Sequence, residues 1–266
     1  MTASTRRALI EQSVLTEGEI DFVSLASEFN VSEMTIRRDI MRLEEKGVVR
    51  RVVGGAIARV GKATEPPFET RVAEAAVGKA HIAEAAAALL QPHETVILDS
   101  GSTVLAVAKA IKGKGLALTV VTPSILVAIE LVNEPDTVVL LTGGRLRSGE
   151  LSLIGTETEE TFTRYNCDVY VMGVAGVDAV HGVSEYHREE SSVKRAAAKT
   201  ADRVIVVADE SKLGRVQLMN IAPLRAIKAL VTDGSPEHPA LQAARDAGVD
   251  VICVSNIGSP SGSPDE

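Results

Sequence analysis

The feature that most constrains this chain is a series of short aliphatic runs between residues 95 and 254, separated by amphipathic helical patterns. Strands buried on both faces read as near-continuous runs of Val, Ile and Leu, and helices join such strands in parallel sheets. The pattern therefore predicts an α/β unit with helices on both faces of a mostly parallel sheet. The predicted strands are Thr95–Leu98, Leu118–Val121, Thr137–Leu141, Val169–Met172, Val204–Ala208, Ala229–Thr232 and Val249–Val254.

The rest of the chain divides around this unit. A length of 266 residues favours two domains, and the composition changes near residue 62. A Gly-Lys-Ala-Thr-Glu-Pro-Pro stretch follows, and the Ala-rich segment Glu69–Leu90 is helical in character. We therefore predict an N-terminal domain over residues 1–60, a linker over 61–74, the α/β domain over 75–257 and a disordered tail over 258–266.

Charge is distributed unevenly along the chain. The formal net charge is −8, which argues against a uniformly basic nucleic-acid binder. Residues 37–62, however, carry eight basic and three acidic side chains, a local net charge of +5. Aromatic residues make up 3% of the chain and Trp is absent, which disfavours proteins that stack bases of single strands. A local duplex-binding surface stays possible.

The N-terminal segment fits a helix-turn-helix. Helical periodicity predicts helices over about residues 4–16 and 23–29, and a third that starts at Ser32, a residue type that caps helix N-termini. The third helix places Ile36, Ile40 and Leu43 on one face and arginines on the opposite face. Two helices joined by a short turn, the second of them rich in arginine, are typical of a DNA-binding helix-turn-helix. A structural helical domain with a solvated arginine face is the alternative.

A basic β-hairpin is predicted next to this helix. Residues 48–53 and 56–60 have strand character, and Gly54-Gly55 lies between them as a turn. We call this hairpin the wing, and its arginines suit phosphate contacts. On the third helix, Arg38 and Arg42 lie farthest from the buried stripe, whereas Asp39 lies near its edge and is expected to pair with an arginine.

Polar loops follow five of the predicted strands. The loop after Leu98 reads Asp-Ser-Gly-Ser-Thr and runs into a helix, a geometry that points backbone N–H groups at an anion. Parallel sheets bind ligands beyond the carboxyl ends of their strands. Hydroxyls and glycines in these loops, with Arg147 and Lys212 as cations, predict a site for a phosphorylated sugar or polyol. Ordinary turn chemistry is the alternative for any single loop.

The motifs Val31–Ile40, Leu43–Gly47 and Arg51–Ala56 resemble the N-terminal signature of DeoR-type bacterial transcriptional regulators. The resemblance extends to about residue 233 and implies a sugar-phosphate sensor domain similar in fold to ribose-phosphate isomerases and CoA transferases. It also implies that Thr35, Arg37 and Arg38 face DNA, and it adds Glu189 to the effector site. The candidate DNA contacts are Ser32, Thr35, Arg37, Arg38, Arg42, Arg50 and Arg51. The candidate effector contacts are Asp99, Ser100, Gly101, Ser102, Thr103, Thr122, Ser124, Gly143, Gly144, Arg147, Glu189 and Lys212.

These features favour a DNA-binding regulator that represses a sugar or polyol operon. We expect it to be a homo-oligomer, a dimer or tetramer, and we expect a phosphorylated effector to release it from DNA. The partners would be double-stranded operator DNA and that effector. An isomerase-like enzyme is the main alternative, and a DNA-binding architectural protein with an inactive sensor is a third. The five histidines show no metal-binding spacing, and we expect no metal, cofactor or catalytic residue. Cys167 and Cys253 are expected to be reduced, buried thiols in a cytoplasmic protein without a membrane span.

Overall fold

The computed structural model describes residues 3–17, 19–45, 49–58 and 65–254, and it divides into two compact units, Met1–Pro66 and Pro67–Glu266. In the N-terminal unit the elements are α1 (Ala3–Glu17), β1 (Glu19–Asp21), α2 (Phe22–Glu28), α3 (Glu33–Glu45), β2 (Val49–Val52) and β3 (Gly55–Ala58). The predicted helices and the wing hairpin are thereby confirmed. The sequence did not predict β1, because only one residue of this three-residue strand, Ile20, is apolar.

The core of the N-terminal unit forms where its three helices meet the small sheet. Ile36, Ile40 and Leu43 of α3 are buried against side chains of α1 and α2, as the periodicity predicted. The sheet order is β1-β3-β2, and Gly55 allows β1 and β3 to approach closely. A Cβ atom at Gly55 would lie 2.1 Å from the Ile20 carbonyl oxygen, so no other residue fits there without a backbone shift.

The C-terminal unit is built on a seven-stranded parallel sheet of order β15-β14-β12-β9-β4-β5-β6. Its helices are α4 (Phe68–Ala73), α5 (Ala76–Ala87), α6 (Ser102–Ile111), α7 (Ile125–Leu131), α8 (Thr156–Phe162), α9 (Arg188–Ala198) and α10 (Pro239–Asp246). The sheet strands are β4 (Thr95–Leu98), β5 (Thr119–Thr122), β6 (Val138–Leu141), β9 (Cys167–Gly173), β12 (Ala201–Val207), β14 (Ala229–Thr232) and β15 (Asp250–Cys253). All seven predicted strands are confirmed, with ends that differ by a few residues.

Alternate residues of these strands enter two separate hydrophobic cores. Along β4, for example, Val96 and Leu98 pack in one core while Ile97 packs in the other. Both faces of the sheet are therefore covered, as the near-continuous aliphatic runs predicted. The carboxyl ends of the strands meet at one edge of the sheet, and this arrangement positions the candidate effector site.

Short antiparallel strands beside the main sheet were not predicted. They are β7 (Arg145–Arg147), β8 (Ser152–Ile154), β10 (Gly176–Asp178), β11 (Gly182–Glu185) and β13 (Met219–Ala222). β7 pairs with β8, and β11 lies between β10 and β13. With three or four residues each, these strands are too short to show a clear alternation of apolar and polar residues.

Three other expectations need correction or lie beyond the described residues. The segment Glu69–Leu90, helical in character by its sequence, is divided between α4 and α5 at Ala75, which has a left-handed φ of 50°. The segment 61–74, predicted as a linker, contains the helix α4. Residues 61–64 and the predicted tail 258–266 lie outside the described residues. Cys167 and Cys253 are both free thiols, but Cys253 is only partly buried because β15 is an edge strand.

Candidate functional site

The exposed face of α3 carries the candidate DNA contacts. Arg38 and Arg42 are exposed, and neither forms a hydrogen bond or ion pair with another described residue. Ser32 precedes the helix, and its hydroxyl accepts the backbone N–H of Thr35 at 3.3 Å and lies 3.0 Å from the Thr35 hydroxyl. Ser32 therefore caps the helix as predicted, which fixes the end that leads into a DNA groove in this motif.

The other arginines of this surface have partners. The Arg37 guanidinium lies 4.5 Å from the centre of the Phe22 ring and 3.5 Å from Glu33, a half-exposed pair. Arg51 donates from its backbone N–H and its side chain to the carboxylate of Glu44. The side chain of Arg50, a predicted phosphate contact, lies outside the described residues. Arg38 and Arg42 are thus the described cations of α3 whose charge is available to a ligand.

Beneath this face, Asp39 fixes α3 to α1. Its carboxylate accepts Arg6 Nε at 2.7 Å and Arg7 Nη1 at 3.2 Å, and only 4% of the residue is exposed. This confirms the predicted ion pair. Asp39 therefore orients the helix and offers no oxygen to DNA.

In the C-terminal unit, the loop between β4 and α6 forms an uncapped helix N-terminus. Gly101 occupies the cap position with a φ of 107°, and no side chain among the described residues caps the helix. Leu105 makes the first intrahelical bond, to the Gly101 carbonyl, so the N–H groups of the first turn precede it. Ser102 begins α6 and is partly exposed. Such a turn is suited to bind an anion.

Asp99 holds this loop from inside. One carboxylate oxygen accepts the Ser100 N–H at 2.8 Å; the other accepts the Gly173 N–H at 3.2 Å and the Lys194 ammonium at 2.5 Å. Asp99 is 2% exposed, so both oxygens are committed to the protein. The structure thus gives this predicted effector contact a positioning role.

Lys194, on α9, is the centre of a buried charged cluster. Its ammonium also bonds the Gly173 carbonyl at 2.9 Å and lies 3.4 Å from Glu185. Burial alone would lower the pKa of Lys194, but Asp99, Glu185 and Glu190 outweigh it, so its pKa lies above the usual value of 10.5. Burial, with the nearby charge of Asp99, likewise raises the pKa of Tyr170 well above 10.0. Asp99 is thus paired with Lys194 instead of presenting a free carboxylate to an incoming anion.

The loops after β5 and β6 supply hydroxyls and a close backbone approach. The hydroxyls of Thr122 and Ser124 accept backbone N–H groups of their own turn at 3.0 and 3.3 Å. Gly143 accepts the Thr158 hydroxyl at 2.7 Å, and a Cβ atom at Gly144 would lie 2.0 Å from that hydroxyl. Thr142, which sequence reasoning missed, has a buried hydroxyl without a hydrogen-bond partner among the described residues. An unpaired buried hydroxyl is costly, so a partner from outside the chain, a water or a ligand, is expected for this group.

The remaining candidates, Arg147, Glu189 and Lys212, lie on β7, on α9 and after β12. Arg147 pairs with the buried Glu190 at 2.8 Å, and Glu189 pairs with Arg145 on the surface at 2.7 Å. Lys212 ends a short 3₁₀ helix (Glu210–Lys212) after β12, and its half-buried side chain has no ion-pair partner among the described residues. Lys212 is therefore the predicted cation whose charge is available, whereas Glu190 offsets the charge of Arg147.

Comparison with known proteins covers both units. A family model described as the DeoR-like helix-turn-helix domain matches residues 6–59, and one described as the DeoR C terminal sensor domain matches residues 74–234. The chain is 32% identical to the HTH-type transcriptional regulator GlpR of Haloferax volcanii over 95% of this chain and 98% of that protein. It is 30% identical to the glycerol-3-phosphate regulon repressor of Escherichia coli over 92% of this chain and 97% of that protein.

Among solved structures, the full-length sorbitol operon regulator SorC of Klebsiella pneumoniae is similar, with 14% identity, a TM-score of 0.42, and coverage of 89% of this chain and 97% of that one. No helix among the described residues is long and apolar enough to cross a membrane. The two family models match the two units in chain order, first the helix-turn-helix domain and then the sensor domain. The chain belongs to the DeoR family of transcriptional regulators.

Proposed function

We propose that this regulator represses a sugar or polyol catabolic operon in the cytoplasm and leaves its operator when the C-terminal unit binds a phosphorylated effector. The observation that carries the proposal is the uncapped first turn of α6, where the carboxylate of the preceding loop, Asp99, is paired with Lys194 inside the protein. A phosphate placed there would accept free N–H groups and the Ser102 hydroxyl. The unpaired hydroxyl of Thr142, after β6, suits an effector hydroxyl.

The relatives support the same ligand class. The name of the Escherichia coli glycerol-3-phosphate regulon repressor points to a phosphorylated polyol, the chemistry that the α6 turn suits. Helix-turn-helix proteins bind two-fold operators as dimers whose recognition helices match the DNA repeat. We therefore propose a homo-oligomer in which the effector alters that spacing. Because coupling is reciprocal, operator DNA will weaken effector binding by the factor by which effector weakens DNA binding.

Two buried carboxylates near the proposed site support a regulator over an isomerase. A general base must reach the substrate proton. Asp99 and Glu185 are 2% and 5% exposed, and both lie against Lys194, so neither is available to remove a proton from a bound sugar. Turnover of ribose 5-phosphate by the purified protein would contradict this part of the proposal.

The DNA-binding surface is tested with Arg38→Ala. We expect this variant to lose about 1–3 kcal/mol of operator affinity and part of its sequence preference, because an arginine bidentate to guanine contributes specificity. Gel-shift titrations with the operator and with a scrambled duplex measure both effects. Lys112→Ala, which removes one half-exposed cation from the C-terminal unit, serves as the control. Equal affinity and preference in Arg38→Ala and wild type would remove Arg38 from the interface.

The effector site is tested with a matched pair, Ser102→Glu and Ser102→Gln. The two side chains have similar size, but the glutamate places a negative charge where we propose the phosphate. Because a carboxylate in the first turn of a helix is favourable, we expect Ser102→Glu to keep the stability of the protein. Thermal-shift titrations against a panel of sugar phosphates should then show at least about tenfold weaker binding for Ser102→Glu than for Ser102→Gln. Equal binding by the two variants would place the phosphate elsewhere.

A further inference from the structure

Lys79, on α5, is a buried cation that the proposed function does not yet use. Its side chain is 6% exposed, and its ammonium donates to the backbone carbonyls of Arg71 and Glu74, the latter at 2.8 Å. Both carbonyls belong to α4 and its C-terminal cap. Lys79 therefore fixes the end of α4 against the start of α5. In chain order, α4 is the first element of the C-terminal unit and directly follows its boundary at Pro67.

The junction between these helices is strained. Ala75 has φ 50° and ψ 33°, a left-handed conformation that costs a residue with a Cβ atom about 1–2 kcal/mol. Such conformations persist where surrounding contacts impose them. Here the Lys79 side chain bonds the carbonyls on the α4 side, and the Lys79 backbone N–H bonds the Ala75 carbonyl at 2.8 Å. If the ammonium moves away, its hydrogen bonds to the α4 side of this junction are lost.

The same ammonium reaches the edge of the sheet where the effector is proposed to bind. It lies 3.7 Å from the carboxylate of Asp209, the residue that follows β12 and Ala208. Lys79 also lines a cavity of about 400 Å³ between α5 and α6, together with Ser102. Burial lowers the pKa of Lys79, and Asp209 offsets this only in part. Lys79 therefore bonds the end of α4 and also lines a cavity that includes the first residue of α6.

We propose that the bound anion acts through Lys79 on the chain that leads to the DNA-binding unit. The anion at the first turn of α6 attracts the Lys79 ammonium, which then releases the carbonyls of α4 and its cap. This inference rests on the proposed function, since it requires an anion at Ser102. α4 keeps a second attachment, the buried pair of Arg71 with Glu150, so release means fraying of its C-terminal end rather than complete detachment.

Hydrogen–deuterium exchange on the full-length protein tests the proposal, with inorganic phosphate as the probe and sodium chloride at matched ionic strength as the reference. In the wild type, phosphate should slow exchange in peptides covering 99–105 and speed exchange in peptides covering 68–75 by about tenfold. In Lys79→Met, the 68–75 peptides should exchange fast without phosphate and show no further change. Lys109→Met removes another lysine that lines the same cavity, and it should behave as the wild type in the 68–75 peptides.

The outcomes separate the two proposals. Unchanged exchange of 68–75 in phosphate-free Lys79→Met would show that Lys79 does not hold α4. Phosphate that protects 99–105 in the wild type without speeding 68–75 would overturn the release step while leaving the anion site intact. An absence of protection at 99–105 would contradict the anion site itself, and the release step with it. Faster exchange of Lys79→Met throughout β9 and β12 would mean that the substitution destabilises the whole C-terminal unit. The response of the wild type to phosphate then decides whether the release step is correct.

Discussion

Replacing Asp39 with alanine will destabilise the N-terminal unit by about 3–5 kcal/mol and abolish operator binding, although Asp39 offers no oxygen to DNA. The variant leaves two arginines, Arg6 and Arg7, beside a buried position without their carboxylate; their side chains are 10% and 20% exposed. Small domains have total stabilities of about 5–15 kcal/mol, and a unit of this size lies near the lower limit. A large unfolded fraction of the N-terminal unit follows.

The measurement is urea unfolding of the full-length protein, with hydrogen exchange of α3 peptides reporting on the N-terminal unit and β9 peptides on the C-terminal unit. Glu33→Ala is the matched control because it also removes a carboxylate paired with an arginine, Arg37, but both side chains are about half exposed. Exposed pairs contribute about 0–1 kcal/mol, so this control should unfold nearly as the wild type does. If Asp39→Ala and Glu33→Ala were equally stable, the buried pair would not be what holds α3 in place.

Local patterns explain why much of the fold was predictable. Ile36, Ile40 and Leu43 repeat with the period of a helix, and the seven aliphatic runs indicate buried parallel strands. Neither prediction depended on residues that are distant in the sequence. The break at Ala75 was not predictable in this way. Its left-handed conformation occurs beside hydrogen bonds from Lys79, four residues further along the chain, and no glycine or asparagine stands at position 75 to signal it.

For the candidate effector site, the sequence predicted the local structure of single loops but not the contacts between residues that are distant in the sequence. The Asp-Ser-Gly-Ser-Thr loop after β4 correctly indicated a strand, turn and helix. The role of Asp99 could not be deduced, because its partner Lys194 is 95 residues away on α9. The sequence of α9 holds one weak signal that these charges are buried. Glu190 and Lys194 fall on the same helical face as Ala197 and other small residues, whereas a solvent-exposed face is usually polar throughout. Which contacts bind effector stays a prediction.

Lys194 carries the second large expected effect. In Lys194→Met, Asp99 and Glu185 remain buried without their cation, and we expect the free energy of unfolding to fall by about 3–5 kcal/mol at neutral pH. The loop at the α6 turn loses the support that orients it, so binding of sugar phosphates should be lost as well. Lys199→Met, at the exposed end of the same helix, is the control and should retain wild-type stability and binding.

The pH dependence of that loss distinguishes an electrostatic cluster from simple packing. In the wild type the pKa of Lys194 is raised above 10.5, so its stabilising effect is complete below that pH and is lost only as the pH rises through the folded-state pKa. Lys194 therefore stays charged throughout the range from pH 5 to 8. In the variant the folded protein binds protons more readily than the unfolded chain, because protonation removes uncompensated buried charge. Denaturant unfolding should consequently show a smaller deficit at pH 5 than at pH 8, whereas a packing defect would give the same deficit at both.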